Sequence, residues 1–408
     1  MSFFRHKSRK KEQIRKQFED ALAALNQNEA LKKECAKKLN EINQETKEDA
    51  HHVMATFPKS EYWRFFIDGI LQKEDGWIGF DKREPGYLTP LLTQLESLFI
   101  DEKFQNEKLT PLFIKQLHKN AITDVEKTNY DLPSYDDDLE EIKNSPEEFR
   151  HGKFVHFNLN ESSASLAGIQ EVLHRIETQT TVAHANRLSI NITGSINNQT
   201  IDIMISNAEE LKNAKKHCTN NNISLDAFIC NQIKNIRSHG YKILIRSSFD
   251  TKFLDAVDRV EKNVEKLTNY AIEIYEDLLE KNKNNKLEKI VLTTTLIHFL
   301  EQLHPFIDAN CRTLCMLLFY HQLMRHNFIP PMQADPNRFN CHTPLELMKY
   351  AIDEMPLTLK ATQGKKEFYD VTTEQLINKN PESASLLGDF APSRSDEKIQ
   401  ESQKMKPK

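Results

Sequence analysis

The chain has 408 residues, 38% of them hydrophobic, and a formal net charge of −5 at pH 7. That length allows two or three domains with real cores, and the weak negative charge exerts no global pull toward nucleic acid, so no nucleic-acid partner is expected. The longest apolar run, Leu314 to Phe319, falls well short of the roughly 20 residues a bilayer span requires, so a transmembrane protein is not expected.

In chain order, the first 16 residues are strongly basic, with Arg5, Lys7, Arg9, Lys10, Lys11, Arg15 and Lys16. They read as a solvated helix start, or as a surface for acidic headgroups or an acidic partner. From Lys10 to Asp49, Ile14, Phe18, Leu22, Leu25, Leu31, Leu39 and Ile42 recur at helical spacing, which gives one helical hairpin or one long helix broken near Asn26 to Asn28. Residues 1–55 are therefore taken as a basic helical segment. Residues 60–90 hold both tryptophans and four of the ten glycines, which reads as aromatic core beneath loops, with a recognition surface as the sharper alternative. The acidic stretch at 130–150 carries two prolines and marks a soft boundary. An α(+β) domain without an assigned role is expected over 56–214.

Residues 187–205 alternate polar and apolar about Asn197-Asn198, the pattern of a β-hairpin, and a second short strand pair is expected at 240–250. Helices follow at 251–280 and 287–303, joined by the solvated linker Lys281 to Lys286. The composition from about 376 onward is too poor in apolar residues to fold alone, and 366–408 is expected to be a mostly disordered tail. Cysteines at 35, 218, 230, 311, 315 and 341 lack paired extracellular spacing, and no apolar segment follows the basic N-terminus. Reduced thiols and a cytoplasmic setting are expected.

The chemistry concentrates in LHPFIDANCRTLCMLLFY, residues 303–320. Pro305 lacks an amide hydrogen and clashes with a preceding helical turn, so the first helix ends near His304. Asp308 and Asn310 are good N-cap types, and a new apolar period begins at Leu314, Leu317 and Leu318, so a short loop empties onto a second helix N-terminus. The amides of Cys311, Arg312 and Thr313 are then without helical partners and face an anion favoured by the helix dipole. Arg312 adds a charged fork for phosphate oxygens and Asn310 a side-chain amide. Asp308 is a hard oxygen ligand for Mg2+, and His304 can take a proton from a hydroxyl nucleophile. Together they point to phosphoryl-type transfer onto a hydroxyl. The plain reading of each residue alone is structural: a histidine at a helix end and an Asp-x-Asn cap.

Other clusters carry less. Cys311, Cys315, His321 and His326 share one helix but face different directions, which argues against zinc. A helix N-terminus lowers a thiol pKa, which raises Cys311 as a nucleophile, but no histidine beyond His304 is placed to orient it. His298 on the preceding helix reads as packing.

The segment HPFIDANCRT resembles the signature of the Fic/Doc (Fido) family, His-x-Phe-x-Asp/Glu-Gly-Asn-Gly-Arg-x-x-Arg. The resemblance covers about residues 215–365, and it implies a mainly α fold: a helical Fido core with a small β-hairpin flap that aligns the target segment by strand pairing. The flap candidate is 240–250, with 187–205 competing. It implies His304 as general base, Phe306 as loop anchor, Asp308 as Mg2+ ligand, Asn310 with the amides of Cys311, Arg312 and Thr313 as nucleotide-binding anion hole, and Arg312 as phosphate clamp. Ala309 replaces the usual glycine, as in the Asp-Ala-Asn-x-Arg-Thr form of Doc-like kinases and phosphocholine-transferring members. Cys311 replaces a second glycine and Cys315 the second arginine. The family's inhibitory Ser/Thr-x-x-x-Glu-Gly/Asn segment is not evident, since Ser206 to Glu210 is followed by Leu211. The expected activity is transfer of a phosphate-containing group from a nucleotide, with AMP from ATP as family default, to a Ser, Thr or Tyr hydroxyl of a target protein. Phosphocholine transfer from CDP-choline, protein phosphorylation, and a catalytically silent Fido binding module are the alternatives. The family context suggests a bacterial effector delivered into a host cytosol.

Overall fold

Asn28 separates two N-terminal helices, α1 (Ser2–Gln27) and α2 (Glu29–Thr46), and its side chain accepts from the Leu31 amide at 3.1 Å. The chain therefore forms the hairpin rather than one continuous helix. These coordinates are a computed structural model that describes residues 2–46, 48–67, 75–82, 85–125, 148–150, 154–178, 186–196, 199–239, 241–249, 258–365, 369 and 371–392. The fold is mainly α with one small antiparallel sheet. Ile14, Phe18, Ala21 and Leu25, spaced three or four apart, put one face of α1 into the core. Beside that face Lys11 and Arg15 reach Glu273 and Asp277 at 2.5 and 2.8 Å, so part of the basic N-terminal face is paired within the chain.

Residues 60–90 are core. Trp63 and Trp77 are fully buried with ring centroids 5.1 Å apart. Their indole nitrogens donate to Thr373 Oγ1 and the Ser383 carbonyl, both at 3.0 Å. The segment expected to be a disordered tail is thus folded in part: Thr373–Lys379 and Pro381–Phe390 are helical, and Leu376, Leu387 and Phe390 are buried. Few apolar residues suffice there because they enter a core already built by other elements. Residues 393–408 lie outside the described residues, as does most of the acidic stretch at 130–150.

Helix α3 (Leu88–Ile100) and helix α4 (Pro111–Ile122) follow. Strand β1 (Phe154–Leu159) and helix α5 (Leu166–Thr178) open the sheet unit. Strands β2 (Asn186–Ile196) and β3 (Gln199–Ile205) form the expected hairpin, with Ile196 opposite Gln199; the connecting residues 197–198 lie outside the described residues. After helices α6 (Ala208–Asn220) and α7 (Leu225–His239), strand β4 (Lys242–Phe249) completes a sheet of order β1-β4-β2-β3. The strand pair expected at 240–250 is therefore one strand, paired with β1 on one side and β2 on the other. Leu188, Ile190, Ile192, Ile243 and Ile245 share one face and pack with Ile169, Val172, Phe228 and Ile229 from α5 and α7 in a core of their own. The boundary expected between 214 and 215 falls inside α6, whose Leu211, Ala214 and Cys218 are buried in this second core.

The larger core runs from Ile14 to Phe390 and joins the N-terminal helices to α8 (Asp258–Lys281) and α9 (Lys286–Leu303). Every residue of α9 from Ile290 to Leu303 is buried, the pattern of a central helix covered on all sides. The two units meet where Ala164 bridges Cys341 and the Ser165 amide donates to the Cys341 carbonyl at 3.1 Å. Gly168 permits that approach, because a Cβ at this position would overlap the Cys341 carbonyl oxygen. Among the described residues no helix is long and apolar enough to cross a membrane.

Candidate active site

Helix α9 ends where the sequence requires it. His304 turns left-handed (φ 51°), its amide still donating to the carbonyls of Leu300 and Glu301 at 2.9 and 3.1 Å, and Pro305 follows. The loop runs to Ala309, also left-handed at φ 56°, before helix α10 begins with Cys311–Leu318, wound in the wider π form, and continues as Phe319–Arg325. A left-handed conformation costs a residue with a Cβ roughly 1–2 kcal/mol, so both ends of this loop are held against their own preference.

Three contacts do the holding. Phe306 is fully buried and stacks on His118, with centroids 3.7 Å apart and planes 26° from parallel, and Phe149 lies 5.3 Å away. Asn310 closes the loop on itself: its Oδ1 accepts from the Phe306 amide and its Nδ2 donates to the Phe306 carbonyl, each at 2.9 Å. Arg150 donates from its main-chain nitrogen to the Pro305 carbonyl at 2.7 Å and from its guanidinium to the carbonyls of His304 (2.8 Å) and Leu303 (3.2 Å). Thr313 is fully buried, its Oγ1 3.2 Å from His118 Nδ1, and its amide donates to the Ala309 carbonyl at 3.0 Å. Of the three amides expected to face a ligand, that of Thr313 is therefore already used by the helix.

The loop opens onto a cavity of about 390 Å3. His304, Asp308, Asn310, Cys311 and Arg312 all line it, with Glu301 from α9. Phe66, Phe80 and Tyr87 contribute another wall, so the aromatic region at 60–90 serves the cavity as well as the core, while Asn158 of β1 brings the sheet to its edge. Arg312 lies with its guanidinium carbon 4.8 Å from the Tyr87 ring centre, and its Nη2 is 3.6 Å from the Asp308 Oδ2. Its side chain is only 7% exposed, whereas Asp308 is 67% exposed at the rim. A wider depression of about 490 Å3 near residues 281–288 is lined by Asn40, Asn282, Asn284 and Asn285 among others and holds none of the motif residues.

His304 keeps 17% of its side chain exposed. Its Nδ1 lies 3.1 Å from the Glu301 carbonyl, so Nδ1 carries the proton and donates there, which makes Nε2 the basic nitrogen. Burial pushes its pKa down to about 4, with the Arg150 cation adding in the same direction, and the ring is neutral at physiological pH. Glu301 is buried beneath it, Oε1 3.7 Å from His304 Nδ1 and Oε2 accepting from the Cys315 thiol at 3.4 Å. Burial raises its pKa to about 7, against the weaker opposing effect of the Cys315 hydrogen bond.

The thiols do not have the character of nucleophiles. A hydrogen bond with Cys315 favours the Cys311 thiolate, but burial and the carboxyls of Glu301 and Asp335 outweigh it, and the pKa stands above the ordinary value. The expectation that the helix start lowers this pKa is thus corrected: burial and the nearby carboxyls together raise it. Cys315 is raised further, chiefly by burial. His321 stands 3.0 Å from the Phe104 carbonyl, His326 stands 3.1 Å from the Tyr275 hydroxyl, and His298 pairs with Gln302, so these three are structural. Ser206 and Glu210 form a helix-start clasp, the Ser206 amide and hydroxyl both donating to Glu210 Oε2 at 2.7 Å.

Sequence reasoning missed Arg150, His118, Phe149 and Glu301. Only Glu301 left a signal, its place one turn before His304. The other three lie about 150 or more residues away in the chain and touch the loop through the fold alone.

No protein-family model matches the chain. Over 325 residues, 79% of its length, it is 26% identical to the phosphocholine transferase AnkX of Legionella pneumophila subsp. pneumophila. The chain resembles a transferase. The matched stretch spans 30% of AnkX, so the comparison concerns less than a third of that protein.

Proposed function

We propose that the chain is a Fido-type transferase that moves phosphocholine from CDP-choline to a Ser, Thr or Tyr hydroxyl of a target protein. The observation that carries this reading is one cavity lined by His304, Asp308 and Arg312 at the start of α10, in a chain similar to a phosphocholine transferase. The run Asp308-Ala309-Asn310-x-Arg312 favours phosphocholine over AMP as the transferred group, and AMP from ATP or direct phosphorylation is the alternative for the same geometry.

In this reading His304 Nε2 takes the proton from the incoming hydroxyl as its oxygen attacks the choline-bearing phosphorus. The pyrophosphate bond breaks, CMP leaves, and the target keeps a phosphocholine ester. Arg312 and the first amides of α10 receive the negative charge of the donor phosphates. Asn310 acts indirectly, by holding the loop through Phe306. Asp308, an exposed hard oxygen at the rim, is the residue that would hold a magnesium ion, and among the described residues no cluster of three or more His, Cys, Asp or Glu could hold a metal alone. Magnesium bound there would neutralise charge on the donor phosphates. Delivery of the protein into a host cytosol belongs to the same proposal.

The test uses CDP-choline labelled in the choline and ATP labelled in the α- or γ-phosphate, each incubated with the protein and host-cell lysate. A labelled band from CDP-choline, absent with His304→Ala, is the expected result. Label from ATP alone would redirect the reading to adenylylation or phosphorylation. Donor binding without label from either would leave a silent binding module, the reading that Cys311 in the cavity favours.

A further inference from the structure

We propose that Arg150 is a positioning residue for His304. Its side chain and amide together hold three consecutive carbonyls, those of Leu303, His304 and Pro305, at the point where α9 gives way to the loop. The last carbonyls of a helix lack helical partners and carry the negative end of its dipole. An arginine fork is a rigid multiple donor suited to such groups, and Arg150 is fully buried, so its geometry is fixed by packing. It remains the protonated form at neutral pH even though burial lowers its pKa to about 9. Because the carbonyl that Nε holds belongs to His304 itself, the clamp sets the left-handed backbone of that residue and hence the direction of its ring. The neighbouring Phe149 packs on Phe306, so residues 149–150 grip the loop at two points.

The kinetic part of this inference rests on the transferase reading; the geometric part does not. The experiment therefore has two readouts on the full chain labelled with 15N-histidine, comparing wild type, Arg150→Met and Arg150→Lys, with His304→Ala to assign the His304 signals. In Arg150→Met the His304 ring is expected to change from one Nδ1-protonated tautomer to a mixture, while the signals of buried His298 and His321 stay unchanged and certify the fold. Transfer from CDP-choline is expected to lose about ten- to a hundredfold in kcat, the scale of a small misplacement of a reacting group. KM for CDP-choline stays within about twofold, because the donor contacts are intact. Arg150→Lys, with a single ammonium in place of the fork, falls between the two in both readouts. An unaltered His304 signal in a folded Arg150→Met overturns the proposal; if that variant does not fold, an Arg150→Lys indistinguishable from wild type overturns it. If wild type transfers from neither CDP-choline nor ATP, the transferase reading fails, and the tautomer change alone decides whether the clamp exists.

Discussion

Asn310 and Phe306 form a closed ring of two hydrogen bonds, the amide side chain of one satisfying both main-chain groups of the other at 2.9 Å. The residue read in the sequence as a ligand contact also shapes, through these two bonds, the loop that presents the neighbouring groups.

Asn310→Ala should leave the Phe306 amide and carbonyl buried without these partners, at a cost of about 2–6 kcal/mol from two groups. Urea unfolding measures this. A midpoint matching wild type would show that the ring contributes nothing.

Asp308→Ala should separate function from stability. Its carboxylate is 67% exposed and 3.6 Å from Arg312, so unfolding should change by no more than about 0.5 kcal/mol. If Asp308 carries the magnesium ion, transfer should fall about a hundredfold or more, since a lost metal contact is worth several kcal/mol. Equal losses of stability and activity would contradict the assignment.

Ala309→Gly should stabilise the protein by about 0.5–1 kcal/mol, because glycine accepts φ 56° without the penalty of a Cβ, offset in part by its freer unfolded chain. Differential scanning calorimetry would register a higher Tm; a lower one would mean that the Ala309 methyl packs better than its strain costs.

Glu301 and His304 should leave opposite marks on stability against pH. Glu301 is raised to about 7, so its contribution is complete below pH 4.5 and is lost as pH rises through 7. His304 is lowered to about 4, so its contribution is complete above pH 6.5 and is lost as pH falls through 4. Glu301→Gln should therefore gain on wild type as pH rises from about 4.5 to 7, by on the order of 3 kcal/mol at the top of that window. Parallel stability curves for the two proteins across the window would refute a buried, proton-bearing Glu301.

The loop was legible because its determinants are contiguous: a proline that stops one helix and a fresh apolar period that starts the next lie within ten residues. What supports it was not legible. Arg150, His118 and Phe149 come from elsewhere in the chain and carry no periodic mark of their task. The strand at Lys242–Phe249 shows the same limit from another side, since Ile243 and Ile245 announce a strand but its partners β1 and β2 lie far back in the sequence. The segment after residue 371 read as unfolded because Leu376, Leu387 and Phe390 are too sparse for a core alone.

That closing segment has a practical consequence. The sequence contains two tryptophans, and both are capped by residues from it, beside the stretch that supplies Phe66 to the cavity wall. Intrinsic fluorescence is therefore a private gauge of one junction. A shift in emission that precedes the loss of helical circular dichroism during titration with denaturant would reveal the C-terminal strap peeling away first, taking the aromatic side of the pocket with it.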